Sequence, residues 1–290
     1  MDSVTQETLE YWRSNPIRET DVPFEEAVRS LNTDEPMVEL KLQSATRWTF
    51  YIPGSDSVAV FSYAGLFSLA DDYYTGNLVP AGNDPPEGLV NERIERFANY
   101  KCNYAYAIDT SHDKSMFHLQ QMLEEYVRYV DGFNPGDLPR REYQTGQDPS
   151  LTWRYWMRVP MFIRMNEGET KPPLPSNLHP WVISADRRSR IYRANPARPS
   201  VFALEDNRLR DIRKCAPNTL QRGDVILFTF TVSFVVGPSA WYPQILPLEI
   251  VRVASANYTS TSDAAEYALP SVDDSVRPGF MDGELINGTE

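Results

Sequence analysis

Residues 220–236 of the chain read LQRGDVILFTFTVSFVV, and residues 237–253 continue as GPSAWYPQILPLEIVRV. Large apolar side chains alternate with hydroxyl side chains along the first run, which is the period-two pattern of a β-strand. The pattern places on one face Ile226, Phe228, Phe230, Val232, Phe234 and Val236, and on the other Thr229, Thr231 and Ser233. The turn at 237–240 predicts a hairpin whose second strand carries Leu246, Leu248 and Ile250 on its inner face. Burial of each large apolar side chain contributes roughly 1.5–3 kcal/mol, so we expect this hairpin at the centre of the core.

Outward from the hairpin, the chain shows several short strand patterns and one long helix pattern. Strands are predicted near 38–43, 47–52 and 58–63, after short helices near 3–15 and 23–31. The strongest helix pattern spans 115–131 and ends at Gly132, a residue type that favours helix C-termini. Its apolar stripe consists of Leu119, Met122, Leu123, Tyr126, Val127 and Val130. The sequence therefore predicts a β-rich α+β fold with antiparallel sheets or a partly open β-barrel, and with a packed helix near 115–131.

Weaker patterns complete the expected organisation of the chain. We expect strands near 104–108, 181–183, 189–192 and 201–204, and a helical turn within 206–215. Residues 1–254 are interpreted as a single β-rich domain, to which residues 1–34 belong or add an N-terminal helical extension. Residues 255–290 are polar and acidic, so we expect a disordered tail.

Charge is distributed unevenly along this acidic chain, whose formal net charge is −12. Residues 140–222 carry 16 basic and 8 acidic side chains, whereas the segments before and after them are both acidic. A net charge of this sign argues against a general nucleic-acid binder, but a basic middle indicates either an anionic partner or an internal electrostatic contact.

The N-terminus and the cysteine content predict the cellular location. No basic region followed by an apolar run opens the chain, and no apolar stretch approaches the length of a membrane span. Cys102 and Cys215 are interpreted as free thiols of a reducing compartment. We therefore expect an intracellular protein of the cytoplasm or nucleus that is neither secreted nor bound to a membrane.

The segment LTWRYWMRVPMFIRM, residues 151–165, divides into two faces if it is extended. The core face would consist of Leu151, Trp153, Tyr155, Met157, Val159, Met161, Ile163 and Met165. The other face would alternate guanidinium and aromatic groups at a repeat of about 6.8 Å, and it consists of Arg154, Trp156, Arg158, Phe162 and Arg164. Aromatic rings between phosphate-binding cations are the components of a surface that binds single-stranded nucleic acid.

Structural explanations of the same pattern remain open. The arginines could cover the aromatic rings on a solvated face, or a helix could cover the sheet at this point. Pro160 favours an edge strand over a central one, because proline cannot donate a hydrogen bond to a neighbouring strand.

A second basic segment follows between residues 187 and 214 and contains Arg187, Arg188, Arg190 and Arg193. These four arginines could assist the strand face in binding phosphates. They could equally contact an acidic protein surface or the acidic regions of the chain itself.

Catalytic and metal-binding motifs are not recognisable. Asp109, His112, Asp113 and His118 lack the spacing of a metal site, and Ser111-His112-Asp113 is contiguous, unlike a catalytic triad that the fold assembles. No nucleotide-binding glycine motif or nucleophile elbow occurs. The sequence predicts no cofactor, no metal and no catalytic residue.

The hairpin segment resembles proteins of one other group. The RGD-V turn before an SF-VV strand, followed by ILPLEIVRV at 245–253, is similar to a segment of an uncharacterised protein family of mushroom-forming (basidiomycete) fungi. The resemblance covers residues 220–253 and implies a fungal, intracellular origin. That family has no assigned activity, so the resemblance implies no functional residue.

Two hypotheses follow for the function. The first is a non-catalytic module that binds single-stranded nucleic acid through the strand face at 154–164, assisted by the arginines at 187–193. The second is a protein-interaction or scaffold domain without nucleic-acid binding. An enzyme with unrecognised chemistry ranks last.

Overall fold

The computed structural model describes residues 3–76, 102–141, 153–165, 168–174, 178–195 and 197–255. The chain divides into two compact units. Unit 1 is formed from Met1–Leu69, Ala107–Tyr155 and Ser200–Ser275, and unit 2 from Ala70–Tyr106, Trp156–Pro199 and Val276–Glu290. Of the predicted tail at 255–290, only Ser255 lies among the described residues.

The described residues form four α-helices, one 3-10 turn and twelve strands. The helices are α1 (Ser3–Ser14), α2 (Phe24–Ser30), α3 (Ser115–Arg128) and α4 (Pro180–Arg188), with a 3-10 turn at Ile212–Lys214. The first six strands are β1 (Val22–Pro23), β2 (Glu39–Ser44), β3 (Arg47–Tyr51), β4 (Phe61–Ala70), β5 (Asn103–Asp109) and β6 (Arg154–Pro160). The remaining strands are β7 (Phe162–Arg164), β8 (Tyr192–Ala194), β9 (Ser200–Glu205), β10 (Arg208–Asp211), β11 (Val225–Val236) and β12 (Trp241–Ala254).

The predicted fold class is confirmed: the protein is strand-rich, and its main sheet is not closed. The strands of this sheet follow the order β10-β9-β12-β11-β4-β5-β6, with β3 also paired to β11 and to β2, and β1 to β4. The sheet is mixed, because β12 and β9 run parallel. The strand β7 pairs instead with β8, in a separate sheet of two strands.

The predicted hairpin is formed by β11 and β12, which pair antiparallel along their whole length. One detail of its register differs from the prediction. Thr229 lies opposite Glu249 while Phe230 lies opposite Pro247, so Leu248 is an extra residue that bulges from the ladder. As a consequence Leu246 and Ile250 lie on opposite faces of the sheet, and Leu248 is only half-buried.

Both faces of β11 are covered. On one face Phe228 and Phe230 join an aromatic cluster with Phe24 of α2, whose ring centroid lies 5.0 Å from that of Phe230. On the other face, Leu9 and Trp12 of α1 pack with Leu227 of the sheet. The apolar spacing along α1 produces this contact, so Leu9 and Trp12 belong to the core of unit 1.

Two local predictions are wrong. The strand predicted at 181–183 is the first turn of α4. Pro180 occupies a first-turn position of the helix, and the backbone N–H of Trp181 donates to His179 Nδ1 at 3.3 Å, which together favour a helix start. Met122 of α3 is 44% exposed although the apolar stripe included it, because the buried side of that helix runs through Met116, Leu119, Leu123 and Val127.

None of the helices that the structure describes is long and apolar enough to cross a membrane. Cys102 and Cys215 form no disulfide bond.

Candidate nucleic-acid interface

The strand β6 has the two-faced character that its sequence predicts. Tyr155, Met157 and Val159 are buried on one side, while Trp156 is half-buried and Arg158 is exposed on the other. Among the described strands, β6 stands at the end of the order of the sheet, as Pro160 predicts. The side of β6 that carries the indole and the guanidinium is in contact with solvent.

Within unit 2, Trp156 and Arg158 form a cation–π pair. The guanidinium carbon of Arg158 lies 5.8 Å from the centroid of the Trp156 ring. This contact orients the arginine over the ring without enclosing either group, because both side chains keep solvent contact. An aromatic face and a cation are thus offered together to a ligand.

The carboxyl group of Asp71 interacts electrostatically with Arg158 of this pair. Burial raises the pKa of Asp71, while a backbone hydrogen bond at Ala105 and the positive charge of Arg158 oppose that shift. Asp71 lies in the same unit, directly after β4. A phosphate that approaches Arg158 must therefore compete with a partly buried carboxylate.

Arg154 lies in unit 1 and has a structural contact. Its Nε donates to Ser68 Oγ at 3.0 Å, and its guanidinium lies 5.8 Å from the Trp153 ring. Trp153 is 67% exposed, so its predicted place in the core is wrong. The regular strand begins only at Arg154, and the alternation that buries Tyr155 does not extend to the residue before it.

The prediction that Phe162 continues the exposed face is wrong. The chain bends at Met161, after which β7 pairs with β8 in the separate sheet, and Phe162 is 0% exposed. Because the bend resets the alternation, Phe162 and Ile163 are both buried. Arg164 is exposed, as predicted, but it lies on the second sheet opposite Tyr192.

The arginines at 187–193 separate into two groups. Arg187 and Arg188 are exposed in the last turn of α4, and Arg190 is exposed just beyond it. Arg193 is buried, and its Nε donates to Glu169 Oε1 at 3.0 Å. Its predicted role in ligand contact is therefore not supported by its position, because a buried and paired guanidinium is not offered to solvent.

The described residues of unit 2 carry more basic than acidic side chains, whereas the whole unit carries twelve of each. Its described residues include eight basic and four acidic side chains. Two of the acidic groups are engaged by Lys171–Asp186 and Arg193–Glu169 ion pairs. Within the described ranges, no carboxylate lies within 4 Å of the guanidinium of Arg164, Arg187, Arg188 or Arg190.

Sequence reasoning missed an aromatic group beside Asp71. Tyr73 and Tyr74 follow shortly after that residue, and both rings lie near the guanidinium of Arg198. The only sequence signal is the adjacent pair of tyrosines. The arginine comes from a segment 125 residues away, so no local pattern joins the three.

The residues considered for metal binding or catalysis have structural partners. Asp113 forms an ion pair with Arg13 and accepts from the backbone N–H of Ser115 at 2.8 Å. Asp109 accepts from the Ser111 backbone N–H at 2.9 Å. A cavity of about 10 Å³ touches Asp109, His112 and Asp113, which is about the size of one water molecule. Across the described part of the chain, no three His, Cys, Asp or Glu side chains are grouped as metal ligands.

Comparisons with known proteins return few matches. No protein-family model matches the chain, and no curated protein does. The resemblance to fungal proteins therefore stays a prediction.

Among solved structures, the chain is similar to the single-stranded DNA-binding protein from bacteriophage Enc34, with a TM-score of 0.29 and 8% identity over 79% of this chain and 97% of that chain. A structure of that protein in complex with single-stranded DNA gives a TM-score of 0.30 and 8% identity, over 77% of this chain and 98% of that one. Because TM-scores this low do not establish a shared fold, the similarity contributes nothing to the function proposed below.

Proposed function

We propose that this protein is a non-catalytic module that binds single-stranded nucleic acid, with Trp156 and Arg158 as its central contact. The observation that carries the proposal is the cation–π pair that the half-buried Trp156 and the exposed Arg158 form on one face of β6. The indole would stack on a base, and the guanidinium would bind the adjacent phosphate.

The exposed arginines of unit 2 extend this contact. Arg164, Arg187, Arg188 and Arg190 are exposed in the same unit and would bind further phosphates of the strand. Arg193 has no part in the proposed contact, because Glu169 pairs with it, and Phe162 has none because it is buried. Arg154 is left out because Ser68 and Trp153 already hold its guanidinium.

The alternative function is docking on an acidic protein surface. The same exposed arginines would serve it, but it needs no aromatic stacking. The two functions therefore differ at Trp156, whose loss should abolish much of the nucleic-acid binding and leave binding to an acidic polypeptide unchanged.

Fluorescence anisotropy of a labelled oligothymidylate, titrated with the full chain at two salt concentrations, tests the proposal. We expect Trp156→Ala to weaken binding by between about 5-fold and 100-fold, which corresponds to the 1–3 kcal/mol of one stacked base. Trp156→Phe should retain most of the affinity. Arg158→Ala should weaken binding and lower the salt slope by about 0.7, the value for one phosphate contact on a single strand.

Matched controls come from unit 1. Arg141 is exposed and lies 5.9 Å from the Tyr242 ring, so Arg141→Ala removes the same charge and the same kind of contact elsewhere. Tyr129→Ala removes a ring that is 89% exposed. The proposal fails if the substitutions at Trp156 and Arg158 change the affinity no more than these controls do. The alternative would be established if the protein bound polyglutamate but no oligonucleotide, and if Trp156→Ala left the affinity for polyglutamate unchanged.

A further inference from the structure

The turn that follows β4 in unit 2 is held in one conformation. Asp72 Oδ1 accepts hydrogen bonds from the backbone N–H groups of Tyr74 and Thr75, both at 2.8 Å, and from Thr75 Oγ1 at 3.0 Å. The N–H of Gly76 closes the turn on the carbonyl of Asp72 at 2.8 Å. The backbone that carries Tyr73 and Tyr74 is therefore fixed before any ligand arrives.

Gly76 packs the same turn closely against two other segments of unit 2, at Asn103 and Met161. Its φ is +55°, and a Cβ at this position would lie 2.5 Å from the carbonyl oxygen of Asn103 and 2.6 Å from Met161 Sδ. No other residue type fits this approach, because any side chain would displace backbone atoms. The close packing at Gly76 therefore fixes the turn that carries the two tyrosines relative to Asn103 and Met161.

Arg198 is oriented by the tyrosines around it. Its guanidinium carbon lies 4.0 Å from the centroid of the Tyr73 ring and 5.8 Å from that of Tyr74. One guanidinium N–H group donates to the Tyr73 hydroxyl at 3.0 Å, and the Tyr104 side chain also hydrogen-bonds to Arg198. An arginine held in this way loses little side-chain entropy when it binds an anion.

The outer part of this cluster is open to solvent. Tyr74 is 37% exposed. The centroid of its ring lies 5.1 Å from that of Tyr73 in an edge-to-face arrangement, so that each ring restricts the movement of the other. Arg198 is half-buried. The carboxylate of Asp72 is engaged by the turn's own N–H groups, which limits its repulsion of a phosphate.

We propose that Tyr74 and Arg198 form a second nucleotide contact, in which the tyrosine stacks on a base and the arginine binds a phosphate. The inference rests on the proposed function, because it assigns the same ligand class to a second place in unit 2. Asp71 connects the two contacts: it immediately precedes the turn, and its carboxyl group interacts with Arg158. A strand of sufficient length engages both contacts, whereas a short one engages only the first.

The affinity of the full chain for a length series of oligothymidylates, from about three to about twenty nucleotides, tests this inference. For the long oligonucleotides, Tyr74→Ala should weaken binding by between about 5-fold and 100-fold, and Tyr74→Phe should leave it near the wild-type value. For the shortest that binds, Tyr74→Ala should change little while Trp156→Ala still weakens binding. Tyr129→Ala is the matched control, since it removes an exposed tyrosine ring from unit 1.

The outcomes separate this inference from the proposed function. If Trp156→Ala weakens binding at all lengths and Tyr74→Ala at none, the second contact does not exist and the proposed function stands. If neither substitution differs from Tyr129→Ala, the proposed function fails and the second contact fails with it. A Tyr74→Phe protein that binds as weakly as Tyr74→Ala would also overturn the stacking role, because the phenyl ring keeps the stacking surface.

Discussion

At the scale of single residues, the proposed binding of a phosphate by Arg158 depends on the ionisation of Asp71. Burial raises the pKa of Asp71, so that its carboxyl group takes up a proton at a higher pH than an ordinary aspartate. While it is ionised, it repels the phosphate that Arg158 attracts. Once it is protonated, the repulsion disappears and the arginine keeps its charge.

The first prediction concerns this carboxyl group. Asp71→Asn should strengthen oligonucleotide binding at neutral pH by about five-fold, which corresponds to ~1 kcal/mol for a nearby like charge. Wild-type affinity should rise as the pH falls through the raised pKa of Asp71, and the variant should lack that rise. Anisotropy titrations at a series of acidic and neutral pH values measure the affinity of both proteins. His179 of the same unit is present in both, so a difference between their pH profiles is due to Asp71.

The raised pKa of Asp71 also makes the free energy of unfolding depend on pH. Since the folded protein holds the Asp71 proton to a higher pH than the unfolded chain, the free energy of unfolding should decrease as the pH rises from the ordinary aspartate range through the raised pKa. Asp71→Asn should remove this decrease. Urea denaturation of both proteins at a series of pH values checks the sign, and a contribution that grows with pH would contradict it.

The second prediction concerns a buried ion pair in unit 1. Arg18 and Glu249 are 5% and 3% exposed, and their charged atoms lie 3.1 Å apart. Arg18→Met leaves Glu249 as a buried charge without its ion-pair partner, so we expect a loss of about 3–5 kcal/mol in the free energy of unfolding.

A matched exposed pair provides the control. Arg29 is largely exposed and pairs with Glu25 one turn away on α2. Arg29→Met should cost no more than about 0.5 kcal/mol. Equal losses at Arg18 and Arg29 in urea denaturation would show that burial does not govern the strength of the first pair.

At the scale of the elements, the bulge at Leu248 gives the third prediction. Leu246 is 4% exposed and Leu248 is half-buried, although plain alternation would make the two equivalent. Leu246→Ala should therefore lower the free energy of unfolding by about 2–5 kcal/mol, the range for a buried leucine. Leu248→Ala should cost clearly less, because part of the side chain is already in water. The same loss at both positions would contradict the bulged register.

The elements that the sequence predicted correctly are those whose signal is local. The hairpin of β11 and β12 follows from alternation around the turn at 237–240, and α3 follows from a helical stripe that ends near Gly132. The errors arise where a distant partner decides the conformation. Phe162 is buried because β7 pairs with β8, which lies about thirty residues further along the chain. No pattern within residues 151–165 predicts that pairing.

At the scale of the whole molecule, the proposed function depends on groups that the fold brings together from distant segments. Trp156 and Arg158 could be predicted from one strand, because side chains two residues apart share a face. The second contact could not, since Tyr73 and Arg198 are 125 residues apart. Likewise the basic middle of the sequence predicted an anionic partner or an internal electrostatic contact, and only the structure separates its arginines: Arg187 is exposed, whereas Arg193 is buried and paired with Glu169.

Base stacking on Trp156 is the central claim, and the most direct test compares a normal oligonucleotide with an abasic one of the same length. Both carry the same phosphates, so they differ only in the bases that could stack. The account predicts that wild-type protein binds the normal strand more tightly, and that Trp156→Ala reduces this preference while hardly changing the affinity for the abasic strand. Equal affinity of the wild-type protein for the two strands would contradict it, because binding would then rest on charge alone.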